Sequence, residues 1–113
     1  MTQQCAPEKY QVRKLTWEEV ETIYRTHMQK DFPRGEIKPF TLLQTLQELG
    51  NNKSFGLFEG QNNLLAYAIF ESSSQGTAWL LDYLAVCEGG RGLGLGSIFL
   101  QELRELLQAE EET

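Results

Sequence analysis

The chain has 113 residues, enough for one domain and too few for two. Its hydrophobic fraction of 41% is ordinary for a soluble globular protein. Its net charge of −6 argues against nonspecific nucleic-acid binding, which needs a basic surface to displace counterions, so no nucleic-acid partner is expected. An anionic ligand remains open, because a local cluster of backbone amides holds a phosphate on an acidic protein too.

Two cysteines, Cys5 and Cys87, lie far apart and form no metal-ligand pattern, so no metal is expected and a reduced, cytoplasmic compartment fits best. The N-terminus is polar and lacks the apolar core of a signal peptide. No run approaches the roughly 18 apolar residues of a membrane span, so no membrane partner is expected.

After a polar leader over 1–9, Tyr10 to Leu15 reads as a first strand. Thr16 is placed as a helix N-cap, with Glu19 completing a capping box. Val20, Ile23, Tyr24 and Met28 follow at helical spacing. Pro33 disfavours helix at the residue before it and stops this helix near Asp31. The only histidine, His27, falls on its inner side as a partly buried structural residue.

Phe32 to Lys38 reads as a loop, and Pro39 suits the first turn of a second helix. Phe40, Leu42, Leu43, Leu46 and Leu49 give that helix an apolar side, and Gly50 ends it in a left-handed cap. The period then changes. Ser54 to Glu59 and Leu64 to Ser72 read as a hairpin around Gly60-Gln61-Asn62-Asn63, and Ser73-Ser74-Gln75-Gly76 is the next turn. Thr77 to Val86 is a third strand, apolar on both faces and so expected to be central in its sheet. After a bend at Glu88 to Gly90, a last helix opens at Leu93 or Gly94 and buries Ile98, Phe99, Leu103, Leu106 and Leu107. Glu110, Glu111 and Glu112 stand where the helix dipole disfavours negative charge, so its end is expected to be frayed or cut. The order is that of a mixed α/β domain.

The informative segment runs from Leu80 to Leu103, where a strand feeds a glycine-rich turn and the turn feeds an amphipathic helix. Helix N-termini expose amides without internal partners and carry the positive dipole end, which together make a phosphate site. Glycine at 92, 94 and 96 lets an anion approach the backbone, and Arg91 adds a charge for the same phosphates. A P-loop needs Lys before Ser or Thr after its last glycine, and here Ser97 follows Gly96 directly. A dinucleotide fingerprint counted from Gly92 needs a sixth-position glycine, which is Ser97, and a further strand with an acidic residue.

Arg91-x-x-Gly94-x-Gly96 resembles the pyrophosphate-binding signature of the GNAT superfamily of acyl-CoA N-acyltransferases, Gln or Arg, two residues, Gly, one residue, Gly or Ala. Leu84-Ala85-Val86 is similar to the strand end that family sets against the pantetheine arm, and the order of elements before it is the family's N-terminal order. The resemblance implies a mainly antiparallel sheet with flanking helices and acetyl-CoA as cosubstrate. It implies that backbone groups of Leu84 to Val86 pair with the pantetheine and that amides of Gly92, Leu93, Gly94, Leu95, Gly96 and Ser97 hold the pyrophosphate. A small-molecule or protein amine would then attack the thioester directly, with the Val86 amide stabilising the oxyanion. Glu71 and Asp82 are the carboxylates nearest the acceptor side in this scheme and the candidate bases. Asp82, among Leu80, Leu81, Tyr83 and Leu84, must be paired, at a bulge or shifted in pKa. Arg34 and Lys38 are candidates for binding an acidic acceptor, against the plainer reading of a solvated loop. Tyr83 and Cys87 read as structural.

A full domain of that family continues past the motif helix into a splayed strand, a helix and two more strands. The resemblance therefore implies that this chain is C-terminally incomplete, a fragment or one completed by a second chain. Its central strand is expected to offer an exposed apolar edge and to drive self-association. A noncatalytic acyl-CoA-binding or interaction module is the alternative, and a phosphate-binding fragment unrelated to acyl transfer is a third.

Overall fold

The computed structural model describes residues 9–73 and 78–111. Cys5, most of the polar leader, residues 74–77 with the start of the third hairpin strand, and Glu112 lie outside the described residues. The elements run β1 (Tyr10–Lys14), α1 (Trp17–Ile23), a π-helical stretch (Tyr24–Met28), α2 (Gln29–Asp31), a 3-10 turn (Arg34–Glu36), α3 (Phe40–Glu48), β2 (Asn52–Glu59), β3 (Asn63–Ser72), β4 (Trp79–Val86), a 3-10 turn (Glu88–Gly90) and α4 (Leu95–Glu111). The four strands form one antiparallel sheet in the order β1-β2-β3-β4. This is a mixed α/β fold.

Local chemistry explains most boundaries. The Thr16 hydroxyl accepts from the Glu19 amide at 3.1 Å, and the Glu19 carboxylate accepts from the Thr16 amide at 2.8 Å, so the capping box is complete. The helix then loosens. Thr22 and Thr26 hydroxyls back-bond to the Glu18 and Thr22 carbonyls, and the ladder widens to π spacing over Tyr24–Met28. Gln29 Nε2 donates to the Tyr24 carbonyl at 2.8 Å. Phe32 is extended, as Pro33 demands, and helix ends at Asp31. At the far end of α3 the Gly50 amide donates to the Gln47 carbonyl and the Asn51 amide to the Leu46 carbonyl, with Gly50 at φ 74°. That is a Schellman cap with glycine in the left-handed position.

The chain divides into two compact units. Unit 2 comprises Lys14–Ser54 and Ala68–Leu84. Its interior is Val20, Ile23, Met28, Leu43, Ala68, Ile69, Phe70 and Tyr83. Trp17 and Tyr24 pack on the Phe40 ring, with centroids 5.3 and 5.2 Å away. Unit 1 comprises Met1–Arg13, Phe55–Tyr67 and Ala85–Thr113. Its described interior is Phe55, Leu57, Phe58, Leu65, Ala66, Tyr67, Cys87, Leu95, Phe99 and Leu103. Ile98, Leu106 and Leu107 of α4 are half-buried. No helix among the described residues is long and apolar enough to cross a membrane.

Two expectations are corrected. The doubly apolar pattern of β4 does not make it central: β4 stands at the end of the strand order beside β3, the edge position that the family resemblance implied. Its run of apolar residues is not doubly covered: Leu80 and Leu81 are 55% and 43% exposed. The apolar side of α3 is also largely open, with only Leu43 buried, Phe40 and Leu46 half-buried, and Leu42 and Leu49 exposed. A repeat of leucines at helical spacing fixes which way a helix can face; it does not supply the surface that covers it.

Thr16→Ala removes one half of the capping box and is expected to cost about 1 kcal/mol, seen as a lower urea midpoint with an unchanged slope.

Candidate functional site

Two constellations stand out, one in each unit. In unit 1, β4 ends at Val86 and the chain passes through the Glu88–Gly90 turn to the glycines before α4. The Cys87 amide donates to the Leu65 carbonyl at 2.7 Å, which fixes the end of the β3–β4 ladder. Peptide groups alternate sides along a strand, so that of Val86, next to the ladder-bonded Cys87, faces the open edge. Arg91 confirms this for residue 86: its Nε donates to the Val86 carbonyl at 3.2 Å, fastening the exposed guanidinium to the strand end.

The glycines of this turn do two different jobs. At Gly90 a Cβ would stand 2.9 Å from Leu95 Cδ1 and 3.1 Å from the Leu65 carbonyl oxygen, so Gly90 is there for close packing of strand, turn and helix. Gly92 and Gly94 have φ of 82° and 70°, and nothing lies within 4 Å of where their Cβ atoms would be. They are required by backbone conformation, and the space beside them is open. Gly96 lies in the first turn of α4, and its added Cβ would only touch Val86 Cγ2 at 3.9 Å. The helix opens at Leu95, one or two residues later than its spacing suggests, which leaves Gly92, Leu93 and Gly94 as a turn. Leu93 is 57% exposed and Leu95 buried. Cys87 is buried.

In unit 2, three of the four sequence candidates converge. Lys38 Nζ lies 2.5 Å from Asp82 Oδ2 and 3.4 Å from Glu71 Oε1. The side chains of Lys38, Asp82 and Glu71 are 28, 23 and 33% exposed. The pair with Asp82 is a hydrogen bond, whereas Glu71 Oε1 is shut off from solvent with no hydrogen bond, and among the described residues it is answered by the ion pair with Lys38. Burial works against the Lys38 ammonium, but the hydrogen bond and charge of Asp82, with the charge of Glu71, outweigh it and hold its pKa above the ordinary 10.5. Lys38 is therefore a fixed cation and not a base. Arg34 is exposed on its 3-10 turn and makes no ion pair among the described residues.

The Lys38 backbone is held as tightly as its side chain. Its amide donates to the Tyr83 hydroxyl at 2.8 Å, and its carbonyl accepts from the Tyr24 hydroxyl at 2.7 Å. The Tyr83 hydroxyl in turn donates to the Glu36 carbonyl at 3.1 Å, and its ring meets Phe32 edge-on at 5.2 Å. Tyr83 thus has the structural role its surroundings in sequence suggest, with a polar task the sequence did not reveal. The signal available for Asp82 was its place in an apolar strand, which demands a partner. A bulge is present as well. The Ser73 amide bonds the Ala78 carbonyl while Cys87 bonds Leu65, so β4 is one residue longer than β3 between these bonds. The extra residue lies between Ala78 and Cys87, in a stretch where Leu80 and Leu81 are exposed in succession.

The described residues hold no group of three or more His, Cys, Asp or Glu able to hold a metal ion. The chain matches no family model, no curated protein and no solved structure.

Two outcomes follow for stability. Gly90→Ala forces a methyl against Leu95 and the Leu65 carbonyl and is expected to cost about 1–3 kcal/mol in chemical denaturation. Lys38→Met is expected to cost about 1 kcal/mol, after allowance for partial exposure of the pair. Because the folded pKa of Lys38 is raised, its contribution is complete below 10.5 and is lost as pH rises through the folded value. Urea midpoints of wild type and Lys38→Met should stay apart through the neutral range and converge in strong alkali.

Proposed function

We propose that this chain binds acetyl-CoA and acetylates a primary amine by direct attack, as an N-acetyltransferase of the GNAT type. The observation that carries the reading is the turn between β4 and α4, where Gly92 and Gly94 adopt left-handed backbone with open space beside them and Arg91 is fixed next to it. A glycine turn with open space beside it and a guanidinium next to it, before a 17-residue helix whose first amides lack intrahelical acceptors, is suited to a pyrophosphate. The edge-facing peptide group of Val86 suits an arm that pairs as an added strand along Leu84, Ala85 and Val86. At Val86 the carbonyl already accepts from Arg91, so the amide is the group offered to the ligand. The order β1, helices, β2-β3-β4 and α4 is compatible with the same reading.

In the reaction, the neutral amine nitrogen attacks the thioester carbonyl. The oxyanion accepts from the Val86 amide, the C–S bond breaks, and the thiolate leaves and is protonated. The acceptor's proton passes to water. No cysteine intermediate is involved: Cys87 is buried. A noncatalytic acyl-CoA-binding module rests on the same turn and differs only in turnover.

Calorimetric titration with acetyl-CoA tests this. Binding is expected, with Arg91→Ala weakening it by about 1.5–3 kcal/mol, roughly ten- to a hundredfold in Kd. Gly94→Val, which puts a β-branched residue at positive φ, should abolish it while leaving the helical content intact. No preference for acetyl-CoA over ATP, or unchanged affinity in both variants, would remove the turn from the argument. Release of thiol on adding an amine separates the enzyme from the module.

A further inference from the structure

We infer that Arg91 is a removable plug on the edge of β4: its guanidinium closes the Val86 carbonyl in the ligand-free chain and gives it up when a pyrophosphate draws the charge to the glycine turn. The inference rests on the acetyl-CoA reading and adds a selection among carriers. A pantetheine arm that brings no pyrophosphate meets an edge that is half closed, whereas one that brings it opens the edge for itself.

An internal hydrogen bond stands where the arm would have to pair. A residue that pairs fully with an added strand exchanges two bonds with it, one at the amide and one at the carbonyl. The Cys87 amide points inward, donating to the Leu65 carbonyl at 2.7 Å, so Val86 is the last residue of β4 with its peptide groups on the edge. The Val86 carbonyl accepts from Arg91 Nε at 3.2 Å. This residue therefore offers an arm its amide alone. Full pairing needs the guanidinium to leave.

The bond is one that can be given up. Arg91 is exposed, and 3.2 Å is at the long end of the range for an N–H donor. A carbonyl is a neutral acceptor, while a pyrophosphate offers the guanidinium charged oxygens and two parallel bonds, each about twice as strong. The place for that anion begins at the next residue: Gly92 and Gly94 have positive φ, and nothing lies within 4 Å of where their Cβ atoms would stand. The guanidinium can pass from one acceptor to the other by side-chain rotation, because the Arg91 backbone is held separately, by its amide's bond to the Glu88 carbonyl. Arm and pyrophosphate are then coupled through one side chain, and each favours the other by the same factor, as linkage requires. A bare arm loses apparent affinity in proportion to the time the carbonyl stays closed.

The test titrates S-acetylpantetheine, acetyl-CoA and inorganic pyrophosphate by calorimetry on wild type and Arg91→Ala. Acetylpantetheine, which has no phosphate, should bind Arg91→Ala about fivefold tighter than wild type. Acetyl-CoA should bind the variant more weakly, so the two ligands move in opposite directions. Saturating pyrophosphate should tighten acetylpantetheine binding to wild type by a similar factor and leave Arg91→Ala unchanged. Acetyl-CoA binding together with equal or weaker acetylpantetheine binding by a folded Arg91→Ala overturns the plug and leaves the acetyl-CoA reading standing; acetyl-CoA that binds neither protein overturns both. Carbon NMR of the wild-type Val86 carbonyl needs no variant. Its signal should move upfield as pyrophosphate is added, because the bond is lost, and a carbonyl unmoved while the amides of Gly92 and Gly94 shift also overturns the inference.

Discussion

An ammonium drawn partly out of water keeps its charge most readily beside carboxylates. Lys38 is answered, and unit 2 is organised around that answer. Asp82 comes from β4, Glu71 from the end of β3, and the two tyrosines that hold the Lys38 peptide come from the π-helical stretch and from β4. One residue of a connecting segment thus ties two strands and a helix, through its amide, its carbonyl and its side chain. The segment from Phe32 to Lys38 has little regular structure of its own, and it is this residue that gives it a fixed course.

The elements were legible in the sequence where a local rule decides them. Thr16 with Glu19 fixes a helix start, Pro33 fixes its stop, and Gly50 closes α3, because each acts through bonds within a few residues of itself. The π-helical stretch was not legible: its residues Tyr24 to Met28 carry no pattern that distinguishes i→i+5 from i→i+4 bonding. Nor was the exposure of Leu42, Leu49, Leu80 and Leu81, since periodicity gives the direction of a side chain and not what stands opposite it. At the site the sequence named Asp82, Glu71 and Lys38 for separate tasks. Their meeting is a contact between residues 44 apart in the chain, and no spacing rule reaches that far.

Strand β4 carries both chemistries, and its irregularity bears on each. One extra residue lies in β4 between Ala78 and Cys87, and bulges re-aim the side chains beside them. At the strand end Cys87 bonds Leu65, and the Val86 carbonyl turns the other way, to Arg91. The same strand is apolar at its exposed positions and has Asp82 as its only charge, already paired. An edge guarded neither by free charge nor by proline is open to another strand, to a ligand arm or to a second chain.

The glycine turn shows why a motif must be separated from the fold that contains it. Gly90 is demanded by packing: a methyl there meets Leu95 and the Leu65 carbonyl whatever the turn binds. Its presence says nothing about a ligand. Gly92 and Gly94 answer to a different constraint, because no neighbour within 4 Å excludes a side chain at either. What excludes it is positive φ, and a turn of this length does not need two left-handed residues merely to reach the start of a helix, since many one-glycine turns do so. Two departures into that region, separated by Leu93, cost conformational freedom, and neither glycine answers a steric demand of its neighbours. In the proposed function an anion accepting hydrogen bonds from this turn would supply a compensation, and Gly92 and Gly94, not Gly90, carry that proposal.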